Sequence, residues 1–248
     1  MPRTRRIGAI GRRLDLPPLF RPVILREAGD AFAHACANAA ELGAGAFVFV
    51  GRFDVAEFAI VLEPDEPLAS ARRAFYVGMV ALADTLAACA PPEKPIAVGW
   101  PDAVKVDGGL VGGARLAWPE HADEQAPDWL VFGATIRTHW QRSDDAGLYP
   151  AATALAEEGF EDAGPERIAE RFARHLMAAT DRWRETGFAS IAKAYLARVA
   201  TDGETVREID GNGDLLIRTP GKPSETRSLA AALRKPFWLD AELAAMAP

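Results

Sequence analysis

Four glycines fall within the six consecutive positions 108–113, and this stretch constrains the fold of the chain most strongly. An Asp-Gly-Gly turn at 107–109 is flanked by strand-forming residues, at 104–106 before it and at 110–118 after it. The sequence therefore predicts two strands joined by a tight turn. Two interpretations of the glycines remain open: either they let the strand fit against a helix, or the missing side chains let a ligand lie against the strand's backbone.

Most of the remaining chain consists of segments with a strand pattern or a helix pattern. Short apolar runs predict strands, whereas apolar residues at helical spacing with capping residues at their ends predict helices. The predicted strands are 46–50, 58–62, 96–100 and 128–138, and the predicted helices are 30–42, 69–89, 165–183 and 188–199. Runs of strands followed by helices favour an α+β fold, with a mixed or antiparallel sheet flanked by helices, over a parallel sheet of βαβ units.

The C-terminal part of the chain changes character. Short alternating segments at 205–209, 214–218 and 225–229 are separated by Asp-Gly-Asn-Gly and Pro-Gly-Lys-Pro, which are hairpin signals. We therefore expect a small β module there. The expected division is a flexible basic leader over 1–17, a main domain over 18–198, and a small β-rich C-terminal domain with a tail over 199–248.

Composition excludes several classes of protein. The formal net charge of −7 opposes binding to phosphate backbones, so nucleic acid is a poor candidate partner. No apolar run reaches the roughly 18 residues that a membrane span needs. Two cysteines, Cys36 and Cys89, stand outside any CxxC or Cys/His cluster, which disfavours a disulfide scaffold or a zinc finger. We expect no nucleic-acid and no membrane partner.

The first 13 residues contain five arginines and no acid. No apolar core follows these arginines, so the segment does not have the pattern of a secretory signal. An organelle transit peptide is the alternative interpretation. The default expectation is a cytoplasmic protein.

No P-loop, no G-x-G-x-x-G before a helix, no G-x-S-x-G and no kinase signature occurs. The segment GWPDAVKVDGGLVGG at 99–113, however, resembles the central motif of the biotin and lipoate protein ligases. That motif reads Trp-Pro-Asn-Asp, then a short hairpin, then Lys-hydrophobic-Gly-Gly. Residues 128–137 are similar to a later strand of the family that ends Gly-x-Gly-x-Asn, and residues 187–215 to its final helix and small C-terminal β domain.

The resemblance implies a fold, a ligand and a reaction. The family joins biotin or lipoate to a lysine of a carrier protein, after making an acyl adenylate from ATP, usually with Mg²⁺. It implies a biotin-, lipoate- or octanoate-like acid as ligand, with ATP and Mg²⁺ as cofactors if the chain is active. Developing charge on the α-phosphate needs positive groups, and the adenylate must be shielded from water.

The sequence departs from the family pattern at these positive groups. The lysine of the glycine motif aligns with Gly109, and the asparagine of the later strand aligns with Arg137. The arginine- and glycine-rich loop corresponds to 51–58, which carries one arginine and two acids. A non-catalytic module that binds a ligand or a partner protein on the same fold is therefore the alternative function. A third interpretation is that the chain shares only the fold of this family and has an unrelated function.

If the chain is an enzyme, Lys105, Arg115 and Arg137 are the candidate catalytic residues. Arg115 and Arg137 would form a bidentate clamp for a carboxylate or phosphate if both point inward. Asp102 would hold the metal ion or orient a basic side chain.

Four candidate ligand-binding residues, Arg52, Trp100, Gly112 and Gly113, indicate where the acid is expected to lie. The acid would lie along Gly112 and Gly113, between Trp100 and the short loop at Arg52. Its apolar body would contact the glycine strand, where a ligand can approach the backbone closely.

Overall fold

The computed structural model describes residues 14–120, 123–140, 151–200 and 203–239. Residues 1–13 of the predicted leader, residues 141–150 and the tail 240–248 lie outside the described residues. Leu14 is buried, and the backbone N–H of Asp15 donates to Glu170 Oε1 at 2.8 Å. The end of the predicted leader thus contacts the main domain.

The main domain is built on a seven-stranded mixed sheet in the order β1-β2-β3-β7-β6-β5-β4. Its strands are β1 Arg21–Leu25, β2 Ala46–Val50, β3 Val55–Leu62, β4 Ile96–Gly99, β5 Ala103–Val106, β6 Gly109–Ala117 and β7 Leu130–Arg137. Strands β1 and β2 pair in parallel, and the other neighbours pair antiparallel. The prediction of a mixed or antiparallel sheet is confirmed, although the sequence patterns did not single out β1.

The helices are α1 Ala31–Leu42, α2 Leu68–Ala71, α3 Ala74–Ala87, α4 Pro165–Thr186, α5 Phe188–Leu196 and α6 Leu229–Leu233. The single helix predicted over 69–89 is divided into α2 and α3. Between them, Arg73 Nε donates to the carbonyl oxygen of Ser70 at 2.9 Å. In a continuous helix this oxygen would accept a backbone N–H from the next turn. None of the helices in the described ranges is both long and apolar enough to span a bilayer.

The helices cover the two faces of the main sheet unequally. Helices α3, α4 and α5 pack against one face and form the large core. Helix α1 covers the other face only over β2, β3 and β7, through the small side chains of Ala31, Ala35 and Ala39. On this second face, no helix of the described residues makes comparable contact with β5 and β6.

The C-terminal segment forms a separate three-stranded antiparallel sheet, which confirms the predicted β module. Its strands are β8 Val206–Ile209, β9 Leu215–Arg218 and β10 Glu225–Arg227. The hydroxyl group of Tyr76 on α3 donates to the carbonyl oxygen of Gly213 at 2.6 Å and joins the module to the main domain. After α6, a short 3₁₀ turn, Phe237–Leu239, returns to β5 and β6.

Candidate functional site

At the edge of the area that α1 covers, and beyond it on β6 and β5, the sheet is lined by small and polar residues. Side chains opposite each other in a ladder lie on the same face of a sheet. Arg115 on β6 is opposite Gly133 on β7, and Gly113 is opposite both Thr135 on β7 and Ala103 on β5. These five positions form a continuous surface beside the N-terminus of α1, which we call the glycine face.

The N-terminus of α1 already has acceptors for its first N–H groups. The carboxylate of Asp30 accepts the backbone N–H of Ala33 at 2.8 Å, as a helix cap does. The carboxylate of Glu57, from β3, accepts the N–H of Ala31 at 2.8 Å. Burial raises the pKa of Glu57 above its ordinary value, and the hydrogen bond from Ala31 partly opposes this. Glu57 is therefore a partly desolvated acid in the centre of this region.

Two arginines flank Glu57, and their bonds to acidic neighbours are long. Arg52 donates to both carboxylate oxygens of Asp54, at 3.3 and 3.4 Å, and lies 3.7 Å from Glu57, whereas Arg115 lies 3.8 Å from Asp30. Well-formed charge-assisted hydrogen bonds measure about 2.7–2.9 Å. Both guanidinium groups can therefore form shorter bonds to an incoming carboxylate than they form here.

An aromatic ring forms the wall of the site next to Arg115. The ring of Phe32 lies directly on Gly133, where an added Cβ would come within 2.4 Å of the ring. The guanidinium carbon of Arg115 stands 4.2 Å from the centre of the same ring. Nearby, burial raises the pKa of the Cys36 thiol to about 11, so this cysteine is not an activated nucleophile.

The two central glycines of β6 are required by close backbone contacts. Gly112 has φ +151°, and a Cβ there would come within 2.0 Å of the carbonyl oxygen of Thr135. A Cβ on Gly113 would come within 2.3 Å of the carbonyl oxygen of Asp102. These close contacts are with backbone of the neighbouring strand β7 and of the β4–β5 turn, rather than with an α-helix as one of the two interpretations expected, and at Gly113 they include a second residue.

That second residue is Trp238, which the sequence analysis did not single out. A Cβ on Gly113 would lie 2.4 Å from the Trp238 indole, and the indole N–H donates to the carbonyl oxygen of Ala114 at 3.0 Å. The preceding backbone N–H, of Phe237, donates to Asp102 Oδ2 at 3.0 Å. Two adjacent aromatic residues after Pro236 were the available signal for this contact.

Asp102 is a buried carboxyl group at the turn between β4 and β5. Burial raises its pKa to about 7, and the N–H of Phe237 opposes that shift. Its Oδ1 atom has no hydrogen-bond partner within the described part of the chain. Over the same residues, no group of three or more His, Cys, Asp and Glu side chains could hold a metal ion. The carboxylate that we considered for Mg²⁺ is therefore not part of a three-ligand metal site among these residues.

Arg137 does not join Arg115. It donates to the carbonyl oxygen of Thr153 at 3.2 Å and stacks on Trp140, with 4.3 Å between the guanidinium carbon and the ring centre. Its position on β7 is four residues from Gly133, the ladder partner of Arg115, which corresponds to ~13 Å along the strand. The structure therefore does not bring the two arginines together as a clamp.

Lys105 and Trp100 lie on opposite sides of the sheet. Lys105 follows Ala103 by two residues on β5, which places it on the side of the glycine face. Trp100 donates its indole N–H to the hydroxyl oxygen of Tyr76 on α3 at 3.0 Å. It lines a cavity of about 680 Å³ beside the C-terminal sheet, together with Phe237. Trp100 is thus not a wall of the glycine face.

The position aligned with the family lysine has no room for a side chain as the backbone stands. A Cβ on Gly109 would come within 2.6 Å of Thr153 Cγ2. The connection that corresponds to the basic loop, between β2 and β3, carries Arg52 and the neutralising Asp54.

Comparisons with known proteins are consistent with this architecture. The sequence model described as the biotin/lipoate A/B protein ligase family matches residues 16–197. A biotin--[acetyl-CoA-carboxylase] ligase of Paracoccus denitrificans is 29% identical over 180 residues, which are 65% of this chain and 72% of that protein.

Solved structures share the fold. A biotin protein ligase-like protein of unknown function from Silicibacter sp. TM1040 superimposes with a TM-score of 0.76 at 30% identity, covering 88% of this chain and 98% of that one. The biotin protein ligase of Aquifex aeolicus in complex with biotin and ATP gives a TM-score of 0.61 at 15% identity, covering 84% and 98%. At 15% identity, this second likeness shows the fold alone.

Proposed function

This chain belongs to the biotin/lipoate A/B protein ligase family, and on that premise we propose that it binds a small carboxylic acid of the biotin, lipoate or octanoate type on the glycine face. The acid carboxylate bonds to Arg52 and Arg115 beside the N-terminus of α1. The apolar body of the acid lies against Phe32 and along β6.

The observation that carries this proposal is the loose pairing of the two arginines. Their distances to acidic partners, 3.3 to 3.8 Å, exceed those of strong charge-assisted bonds, about 2.7–2.9 Å. A planar guanidinium can hold a carboxylate through two parallel N–H donors. Asp54 already bonds to Arg52 in this way, although at 3.3 and 3.4 Å. Asp30, in contrast, lies 3.8 Å from Arg115, so a ligand carboxylate gains most at Arg115.

The residues present do not fit the ATP and Mg²⁺ chemistry that the family resemblance implies. Gly109 supplies no ammonium group, and Thr153 occupies the space beside it. Asp102 belongs to no group of three or more His, Cys, Asp and Glu side chains that could hold a metal ion in the described ranges. Losing one preorganised donor typically costs about 10²–10³ in rate. We therefore derive no adenylation step, and we favour a binding module over a ligase.

Activation of the acid, with transfer to a lysine of a carrier protein, is the second candidate function. It is favoured by the position of Lys105 on the side of the glycine face, two residues after the ladder partner of Gly113. A lysine there brings a positive charge to this side of the sheet from β5 rather than from β6.

Thermal unfolding with biotin, lipoate or octanoate, each with and without Mg²⁺-ATP, separates the two functions. A ligand at 100 times its Kd stabilises the folded state by about 2.7 kcal/mol, which shifts the melting temperature measurably. A shift with an acid alone supports the binding module. A shift that requires both the acid and ATP supports the ligase, and no shift under any condition contradicts both.

A further inference from the structure

The 3₁₀ turn Phe237–Leu239 occupies part of the surface that we assign to the ligand. The indole of Trp238 lies on Gly113, and both aromatic residues pack with Ala103 and Leu110 in a small cluster separate from the two larger cores. This cluster is located on the glycine face, at the end away from α1. The chain's own tail therefore fills space along the glycine strand.

The indole N–H of Trp238 also donates a hydrogen bond to a backbone carbonyl oxygen of β6 that the strand ladder does not use. In an antiparallel ladder, the N–H and C=O of one residue point to the same neighbouring strand. The N–H of Ala114 bonds to the carbonyl oxygen of Asp102 at 2.9 Å, just before β5 begins, and the carbonyl oxygen of Ala114 accepts the Trp238 indole N–H. Without Trp238, a hydrogen-bond acceptor beside Gly113 would face the site.

Few hydrogen bonds attach the turn to the main domain. Within the described residues they are the two from Phe237 N–H, to Asp102, and from Trp238 Nε1, to Ala114, and one such bond contributes only modestly to stability. Leu239 is 55% exposed. Phe237 borders the cavity of about 680 Å³ beside the C-terminal sheet, so unfilled volume lies next to the turn.

We propose that this turn is a removable cover of the acid site, and that a ligand displaces Trp238 in order to lie along Gly113. The proposal rests on the proposed function and adds its regulation. The apparent affinity of the protein for its ligand is reduced by the fraction of molecules in which the cover is closed. Any change that loosens the turn therefore raises the affinity without altering a ligand contact.

The simpler alternative is that Trp238 is a permanent filler of the sheet surface, for which Gly113 merely makes room. The two ideas differ in what happens when a ligand binds. A permanent filler stays in place and its loss only lowers stability, whereas a cover leaves Gly113 and its loss strengthens binding.

The test is a calorimetric titration of the full chain with biotin and, separately, with lipoate. We compare wild type, Trp238→Ala, Trp238→Phe and the control Trp183→Ala, which removes an indole from α4 on the other side of the sheet. With a cover closed in about nine molecules of ten, Trp238→Ala binds ~10-fold more tightly than wild type. Trp238→Phe, which lacks the N–H donor, falls between them, and Trp183→Ala binds like wild type.

A second measurement reads Trp238 in the wild-type protein and needs only the conservative variant Trp238→Phe as its reference. Acrylamide quenching of tryptophan fluorescence, with the signal of Trp238→Phe subtracted, reports the exposure of Trp238. Saturating acid increases this quenching if the cover opens. Measurable binding with equal affinities in wild type and Trp238→Ala, or with Trp238 still protected at saturation, overturns the cover. Absence of binding to every variant overturns the proposed function instead, and the cover then has no site to close.

Discussion

The carboxylate of Glu57, on β3, accepts the first backbone N–H of α1, that of Ala31, at 2.8 Å. This contact joins a buried acid of the sheet to the start of the helix that borders the proposed ligand site. Glu57 also lies 3.7 Å from Arg52, so it competes with a ligand carboxylate for that guanidinium group. The acid therefore both orders the site and limits its affinity for anions.

Replacing Glu57 by glutamine separates these two effects. The amide oxygen of Glu57→Gln can still accept the N–H of Ala31, but the negative charge near Arg52 is gone. We expect acid binding to become about fivefold tighter, the factor that 1 kcal/mol represents for a partly exposed ion pair. Glu57→Ala, which leaves the Ala31 N–H unpaired, should instead lower the free energy of unfolding by about 1–3 kcal/mol. Weaker acid binding by Glu57→Gln in titration calorimetry would contradict this role.

The stability of the protein should fall as pH rises through the titration of Asp102. The pKa of this carboxyl group is about 7 in the folded chain and 3.8 ordinarily, so the folded state holds the proton more tightly. The resulting stabilisation is complete below about pH 4 and is lost as pH approaches and passes 7, at up to roughly 1.4 kcal/mol per pH unit. Denaturant unfolding at pH 5 and pH 8 measures it.

Asp102→Asn is the matched variant for this measurement, because an asparagine oxygen can still accept the Phe237 N–H. The informative quantity is the difference between variant and wild type, because all other side chains are the same in both proteins. We expect the variant to gain stability relative to wild type as pH rises from 5 to 8. A difference that stays constant with pH would show that Asp102 does not titrate in this window.

Gly112 should be among the least replaceable residues of β6. An alanine there combines φ +151° with a Cβ only 2.0 Å from the Thr135 carbonyl oxygen, so the backbone of β6 or β7 must shift. Gly108 also has positive φ, +85°, but a Cβ there meets nothing within 4 Å. We expect Gly108→Ala to cost about 1–2 kcal/mol and Gly112→Ala more than about 3 kcal/mol in chemical denaturation. Similar costs for both would refute the close-contact explanation.

Restoring a lysine at the glycine motif should not be tolerated by itself. In Gly109→Lys, the new Cβ approaches Thr153 Cγ2 to 2.6 Å, and overpacking of this kind costs about 1–3 kcal/mol. The double variant Gly109→Lys/Thr153→Gly removes the contact and should recover most of that loss in denaturant unfolding. If the single variant is as stable as wild type, Thr153 does not restrict this position.

Much of the fold could be predicted because its signals are local. The Asp-Gly-Gly turn located the hairpin of β5 and β6. Asp30 caps the N-terminus of α1, and Gly43 caps its C-terminus. β1 was not recognised as a separate strand from its own residues: it is a largely exposed strand at the sheet edge, includes Pro22, and pairs in parallel with β2 across α1. A pairing of that kind leaves little trace in the sequence of either strand.

The candidate site was less predictable because its partners come from distant parts of the chain. Arg52 and Arg115 were identified from the sequence and do lie on the same side of the sheet near Glu57. Glu57 was assigned to a loop, but it lies in β3. It is two residues before Ala59, so both side chains lie on the face that α1 covers. Trp238 reaches Ala114 across 124 positions, and no short-range pattern encodes such a contact.

The central claim is that Arg52 and Arg115 hold a carboxylic acid on the glycine face. It is tested most directly by titrating biotin, lipoate and octanoate into wild type, Arg52→Ala, Arg115→Ala and Arg137→Ala, with circular dichroism to verify folding. Hydrogen bonds to charged groups contribute about 1.5–3 kcal/mol, so the first two variants should each bind the preferred acid ~10-fold or more weakly. Arg137→Ala, whose side chain contacts Thr153 and Trp140 instead, should bind like wild type. Acid binding that is unchanged in Arg52→Ala and Arg115→Ala would contradict the account.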